Sequence, residues 1–247
     1  MSDKSTILQI QSLSFCYGKK EQKDSYSIFL KDFILKEDDI FAITGVSGCG
    51  KSTLLECIAM LRRAQAQTFR LFDRDVLSMS QRELNSLRSA YLGFMPQTGG
   101  LIPFLSVLDN LKLQLEVCNS SYYELTKKKH DEKALLDETL ALMEQFDLLK
   151  YKDEYPDRLS IGQRQRAVFF KTICHNPKLI LIDEPTSALD PEHGKLLFET
   201  MIKVCKAKGV SCLVVTHDTD LVDSFSLKEL SYNPDGKSKG QFLIKDE

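Results

Sequence analysis

The chain has 247 residues, 43% hydrophobic and 28% charged, an ordinary composition for one large globular domain or two modest ones. Its 33 basic and 35 acidic side chains leave a net charge of -2, which argues against binding nucleic acid through bulk positive charge. The longest uninterrupted apolar run, Cys57-Ile58-Ala59-Met60-Leu61, falls far short of the ~20 residues that cross a bilayer.

The first residues, Met-Ser-Asp-Lys-Ser-Thr, lack the basic and apolar regions of a secretory signal, so any membrane role is expected through a partner chain. The seven cysteines are scattered, with no CxxC pair and no zinc-ligand spacing, which predicts reduced thiols that fill space in the core.

Along the chain, residues 7–15 and 27–35 have strand character and are joined by the polar stretch 18–26. A third strand, 40–44, runs into a glycine-rich loop and then the helical pattern KSTLLECIAML. A strand is predicted at 67–72, and a helix over 80–89 opened by Ser80 with Glu83 three residues on. A strand at 91–95 ends at Pro96. From about 106 to 175 the pattern turns helical: SVLDNLKLQLEV, DEKALLDETLALMEQFDLL and 161–174 read as helices, and 116–133 as a solvated surface loop. Strand and helix then alternate (178–183, 191–208, 211–216), and two short strands at 226–232 and 240–245 flank an Asn-Pro-Asp-Gly turn. This order predicts an α/β fold: a core with a parallel central sheet (about 1–95 and 176–247), an antiparallel β subdomain at its N-terminal end, and an inserted helical subdomain (about 96–175).

Gly45-Val46-Ser47-Gly48-Cys49-Gly50-Lys51-Ser52-Thr53 satisfies GxxxxGK[ST] between an apolar strand and an apolar helix, the context a P-loop requires. Glycines let successive N–H groups face phosphate oxygens, and the helix N-terminus adds partial positive charge. Lys51 is placed to reach the β- and γ-phosphates and Ser52 to ligate Mg²⁺. A second motif, Leu179-Ile180-Leu181-Ile182-Asp183-Glu184-Pro185, is a buried strand ending in two carboxylates: Asp183 suits Mg²⁺, usually through water, and Glu184 suits the attacking water.

The third motif, Leu159-Ser160-Ile161-Gly162-Gln163-Arg164-Gln165-Arg166, lies just upstream of that strand. Together the three resemble the nucleotide-binding subunits of ATP-binding-cassette (ABC) transporters, whose signature reads LSGGQ. The resemblance spans nearly the whole chain: Tyr17 matches the aromatic that stacks on adenine, Gln97 the loop glutamine, Ser187-Ala188-Leu189-Asp190 the D-loop and His217 the switch histidine. It implies the P-loop NTPase fold and a protein that binds and hydrolyses ATP with Mg²⁺, pairs head to tail with an identical or paralogous subunit, and powers a separately encoded transmembrane permease from the cytoplasmic face of the membrane. No nucleic-acid partner is expected.

The implied nucleotide contacts are Tyr17, Gly45, Ser47, Gly48, Cys49, Gly50, Lys51, Ser52, Thr53, Ser160, Gly162, Gln163 and Asp190. Lys51, Gln97, Glu184 and His217 would serve catalysis, and Ser52, Gln97 and Asp183 the metal. The segment 91–111 is similar to the lipoprotein-releasing, macrolide-exporting and cell-division ATPases, where Leu101, Ile102, Phe104 and Leu105 would help receive a membrane subunit. Two departures carry expectations. Ile161 replaces the first signature glycine, which predicts crowding at the helix start and slower hydrolysis, and Cys49 at a helix N-terminus predicts a thiol sensitive to alkylation and protected by ATP. The competing readings are a nucleotide-gated interaction module with vestigial hydrolysis and a soluble cassette ATPase acting on DNA or ribosomes.

Overall fold

The computed structural model describes residues 4–16, 27–234 and 239–244. Tyr17 and the Asp235-Gly236 half of the expected turn lie outside the described residues. In chain order the elements are β1 (Thr6–Cys16), β2 (Ser27–Lys36), β3 (Ile40–Thr44), α1 (Lys51–Ile58), β4 (Thr68–Leu71), β5 (Arg74–Asp75), α2 (Gln81–Tyr91), β6 (Leu92–Met95), α3 (Val107–Thr126), α4 (Glu132–Gln145), α5 (Ile161–Ile173), β7 (Leu179–Asp183), α6 (Pro191–Lys208), β8 (Ser211–Val215), α7 (Thr219–Ser224), β9 (Lys228–Pro234) and β10 (Lys239–Ile244). They divide into two compact units, Met1–Leu84 with Ser211–Glu247, and Asn85–Val210.

In the first unit the strand order is β5-β4-β1-β2-β10-β9-β3-β8. The N-terminal strands pair antiparallel, β1 with both β2 and β4, with Ile10 opposite Phe33 on one side and Phe69 on the other. Leu8 and Ile10 lie on one face of β1 and are fully buried, and Ser12, with φ +54°, shifts the alternation by one residue so that Leu13 is fully buried as well. β3 is buried at all five positions and pairs parallel with β8 and β9, and α1 packs on β8. β10 closes the order, parallel to β2 and antiparallel to β9.

In the second unit β6 and β7 run parallel, Phe94 opposite Leu181, and α5 packs on β6, α3 and α6. Phe169, Phe170 and Phe198 are fully buried there, and large aromatic rings dominate such a core because each removes 150–250 Å² of surface from water. Each long helix opens on a side-chain cap: Ser106 for α3, Asp131 for α4, Ser160 for α5 and Asp190 for α6. Gly209, with φ +62°, stops α6 while the Val210 N–H donates to the Cys205 carbonyl.

The structure revises several expectations. The segment 116–133 is mostly helix rather than loop, because α3 continues to Thr126 and stops only at Lys127, which takes a left-handed conformation with φ +60°. The expected strand 67–72 is a hairpin: Phe72 and Asp73 both have positive φ, the two-residue turn whose usual Asn-Gly signal is missing here. α1 ends at Ile58, three residues early, and the short helix α7 had no strong periodicity to announce it. None of the seven cysteines, all among the described residues, is in a disulfide, and six are buried, as small hydrophobes should be. Among the described residues no helix is long and apolar enough to cross a membrane.

Candidate active site

In the first unit the loop between β3 and α1 is shaped by its glycines. Gly45, Gly48 and Gly50 have φ of +145°, +76° and +94°. A Cβ at Gly45 would stand 2.6 Å from Tyr232 Cβ and 2.9 Å from Cys49 Sγ, so only glycine fits there. Gly50 is the cap residue of α1 and offers no side chain to the helix end, which leaves the first turn to be capped by a ligand. Lys51, 4% exposed, donates to the Gly45 carbonyl (3.0 Å), the Val46 carbonyl (3.2 Å) and His217 Nε2 (3.1 Å). An ammonium group only donates, so Nε2 accepts and the imidazole proton sits on Nδ1. His217 lies just beyond β8, where Thr216 is held by its N–H to the Ile43 carbonyl.

Ser47 and Gly48 are exposed and Ser52 is half-buried, whereas Thr53 and Cys49 point inward at 8% and 4% exposure. The Cys49 N–H donates to the Val46 carbonyl at 3.3 Å. Burial of this thiol behind Gly45 is the feature that runs against the expected alkylation: a reagent needs the loop to open before it meets the sulfur.

In the second unit Asp183 ends β7, 8% exposed, and Glu184 follows with φ +44°. Pro185 disfavours the right-handed helical region for Glu184, and a non-glycine residue held left-handed costs roughly 1–3 kcal/mol, which its surroundings offset. Gln97 Nε2 donates to Glu184 Oε2 at 3.0 Å and to Ser187 Oγ at 3.3 Å, and the Ser187 N–H and hydroxyl both donate to the Glu184 carbonyl, at 3.3 and 3.0 Å. The carboxylate, its loop glutamine and the following turn are therefore one hydrogen-bonded unit.

Ser160 and Gln163 form a reciprocal capping box on α5: the Ser160 hydroxyl accepts from the Gln163 N–H at 3.2 Å and the Ser160 N–H donates to Gln163 Oε1 at 2.9 Å. Ile161 is 55% exposed and the capping box beside it is complete, so its side chain leaves the helix start undisturbed. Gly162 would accept a Cβ at ordinary distances, 3.8 Å from Leu189, so nothing within this chain requires glycine there. Asp190 caps α6 and accepts from the His193 N–H (3.1 Å) and ring Nδ1 (2.8 Å), and these bonds hold its carboxyl below the usual carboxylate range.

Two residues given no role in the sequence reading, Asn110 and the signature-motif Gln165, support the loop that carries Gln97. Asn110, fully buried, accepts from the Ile102 N–H (2.8 Å) and donates to the carbonyls of Ile102 (3.2 Å), Leu105 (3.2 Å) and Ser106 (2.9 Å). Gln165 Nε2 donates to the Gln97 carbonyl at 3.4 Å, while its Oε1 is buried without a hydrogen-bond partner. A buried-face asparagine one turn into a helix is the sequence signal for the first, and a place in the signature motif the signal for the second.

Residues 31–187 match the model of the family described as ABC transporter. Among curated proteins, the chain is 32% identical over 230 residues to the methionine import ATP-binding protein MetN of Campylobacter jejuni, covering 91% of this chain and 67% of that protein. It is also 32% identical over 183 residues to a methionine import ATP-binding protein of Yersinia pestis, covering 74% and 50%. The chain thus spans between half and two thirds of the length of these relatives. Two solved structures align with TM-scores of 0.74: an ATP-binding cassette dimer in a post-hydrolysis state bound to ADP and Pi (26% identity, 97% of this chain and 100% of that one), and a dimeric bacterial ABC transporter cassette (27% identity, 91% and 94%).

Proposed function

This chain belongs to the ABC transporter family, and on that basis we propose that it is the ATP-binding and ATP-hydrolysing subunit of a transporter whose membrane-spanning part is a separate chain. The observation that carries the reading is the glycine loop wrapped around Lys51 at a helix end that no side chain caps. Triphosphate oxygens would take the place of the Gly45 and Val46 carbonyls around the Lys51 ammonium, with the N–H groups of residues 47–53 contributing the remaining donors. Tyr17 would stack on adenine.

The hard oxygens of Ser52, Asp183 and Gln97 suit a divalent cation: the two Nε2 donations of Gln97 leave its carbonyl Oε1 as the ligating atom. Bound Mg²⁺ would neutralise phosphate charge as it develops. Glu184 orients water for in-line attack on the γ-phosphorus, the bond to the β–γ bridging oxygen breaks, and ADP and phosphate leave. His217 would steady the γ-phosphate by donating from Nε2, the atom that contacts Lys51 here, with the ring proton carried on Nε2 once the Lys51 ammonium has turned to the phosphates. Ser160, Gly162 and Gln163 would meet the nucleotide of a second subunit, and Asp190 would signal across that contact. ATP then joins the two subunits, and hydrolysis removes the joining charge. The protein works at the cytoplasmic face of the membrane, held there by its partner.

The relatives' names support import of methionine or a similar small solute. The segment 91–111 supports a second reading, a partner that transmits force instead of passing solute, and Phe104, 76% exposed, fits a surface that receives such a chain. Co-purification from detergent-solubilised membranes, with wild type and Glu184→Gln in ATP, tests this. A multi-span permease recovered with both is the expected result, and its topology separates solute import from force transmission. Consistent recovery of ribosomes or DNA instead would overturn the transporter reading.

A further inference from the structure

The turn that joins α3 to α4 carries Lys127, Lys128 and Lys129, all exposed, and hydrogen bonds fix its backbone at both ends. Lys127 is left-handed (φ +60°), and its N–H donates to the Tyr123 carbonyl at 2.9 Å. The Thr126 hydroxyl donates to the Tyr122 carbonyl (2.8 Å) and accepts from the Lys128 N–H (3.1 Å). On the far side Asn119, 6% exposed, accepts from the His130 N–H at 2.8 Å and donates to the His130 carbonyl at 3.2 Å. A buried asparagine thus closes the turn, so little ordering is left for a ligand of the lysines to impose on the backbone.

The carboxylates that flank the run are engaged elsewhere. Glu124 accepts from the Ser86 hydroxyl (2.5 Å), Asp131 caps α4 through the Ala134 N–H (3.1 Å), and Glu132 accepts from Asn119 Nδ2 (2.5 Å). Among the described residues none of the three lysines makes an ion pair. The ammonium groups of Lys127 and Lys129 lie instead against the ring of Tyr123, 5.7 and 5.8 Å from its centroid, and Tyr123 is 46% exposed.

We propose that this turn is an anion-binding surface, and that its occupant is a bilayer containing acidic phospholipid. Three lysines around one exposed phenol match the interfacial layer of such a membrane, where ammonium groups meet phosphates and tyrosine sits at headgroup level. A single-stranded nucleic acid instead needs successive stacking faces along its path. The neighbouring Tyr122 is already covered by the His130 ring, with centroids 3.9 Å apart and planes at 35°, and Tyr91 stands on its edge. The chain's net charge of -2 also gives a nucleic acid no broader positive field. The turn would give the subunit a hold on the negative leaflet that is separate from its permease. The choice of a membrane rests on the proposed place of the subunit at the membrane face, and vesicles that hold no permease test it apart from that reading.

The isolated chain is sedimented at low salt with vesicles of phosphatidylcholine alone and of equal parts phosphatidylcholine and phosphatidylglycerol. Binding to the anionic vesicles is expected to be tighter by on the order of a hundredfold. Each of Lys127→Gln, Lys128→Gln and Lys129→Gln should weaken it roughly fivefold, and the triple glutamine variant roughly a hundredfold, while the triple arginine variant retains it. Raising salt from ~0.1 M to ~1 M, which shortens the Debye length from about 10 Å to about 3 Å, should abolish it. Unchanged ATP affinity in the variants reports that they remain folded. Equal binding to neutral vesicles, or undiminished binding by the triple glutamine variant, would overturn the site. An oligonucleotide that binds wild type more tightly per phosphate than the vesicles do, and fails to bind the triple glutamine variant, would overturn the lipid source in favour of nucleic acid. Absent vesicle binding with a permease still recovered from membranes would remove this inference alone, whereas vesicle binding with no permease recovered would support it and remove the transporter partner.

Discussion

Gly45 and Glu184 show how single residues shape their loops, one by lacking a side chain and the other by holding a left-handed backbone. At Gly45 the backbone is left-handed and the space a Cβ would need is already taken by Tyr232 and Cys49. Gly45→Ala must therefore displace the loop that carries the carbonyl facing Lys51. It is predicted to weaken ATP binding by tenfold or more and, because the same Cβ presses on Tyr232 of β9, to lower the melting temperature by several degrees as well. Equilibrium binding of a fluorescent ATP analogue measures this, and wild-type affinity in the variant would contradict the packing argument. Cys49 gives the opposite lesson: read as a residue type at a helix end it looked reactive, but its side chain is turned behind the glycine.

At the scale of elements, the motifs were legible because each requires a particular strand or helix end. β3 and β7 are runs of five buried residues, and a run like that before GxxxxGK[ST] or ending in Asp183 has little freedom to be anything else. What the sequence did not reveal depends on contacts distant along the chain or on turn geometry without its usual residues. The Phe72-Asp73 turn, the continuation of α3 through 116–126, and the Asn110 clamp on the 102–106 backbone are of this kind. So is His175, just past α5, which is fully enclosed with Nε2 bonded to the Leu92 carbonyl at 3.1 Å and Nδ1 unpartnered.

Burial pushes the His175 imidazole down to about 4, so the folded protein keeps it neutral while the unfolded chain takes up a proton below about 6.5. Its contribution is complete above pH 6.5 and is lost as the pH falls from 6.5 to 4, on the order of 3 kcal/mol in all. Denaturant midpoints measured across that range should fall more steeply for wild type than for His175→Gln. Parallel curves would mean that the ring is not held neutral by the fold.

For the molecule as a whole, the signature end of α5 is built to face outward. Ser160 and Gln163 complete each other's hydrogen bonds, Gly162 has no internal reason to be glycine, and Ile161 presents an exposed apolar side chain beside them. These features acquire a purpose only against a second subunit, which the dimeric form of the similar cassettes supports. Specific ATPase activity is accordingly predicted to rise with protein concentration. Ile161→Gly should raise turnover at saturating concentration, with folding stability changed by less than about 1 kcal/mol. A specific activity independent of dilution would argue for a monomeric engine, and an unchanged rate in the variant would remove Ile161 as a brake.

In the proposed division of labour, Glu184, held by Gln97 at 3.0 Å in a left-handed turn, serves hydrolysis while Lys51 and its loop serve binding. The measurement that tests it most directly is steady-state phosphate release together with equilibrium ATP binding, for wild type and Glu184→Gln side by side. The expected result is turnover in wild type, a loss of roughly a hundredfold or more in the variant, and ATP affinity that is retained or tightened. Turnover that survives the substitution, or affinity that disappears with it, would contradict the division of labour between the strand-end carboxylate and the phosphate loop.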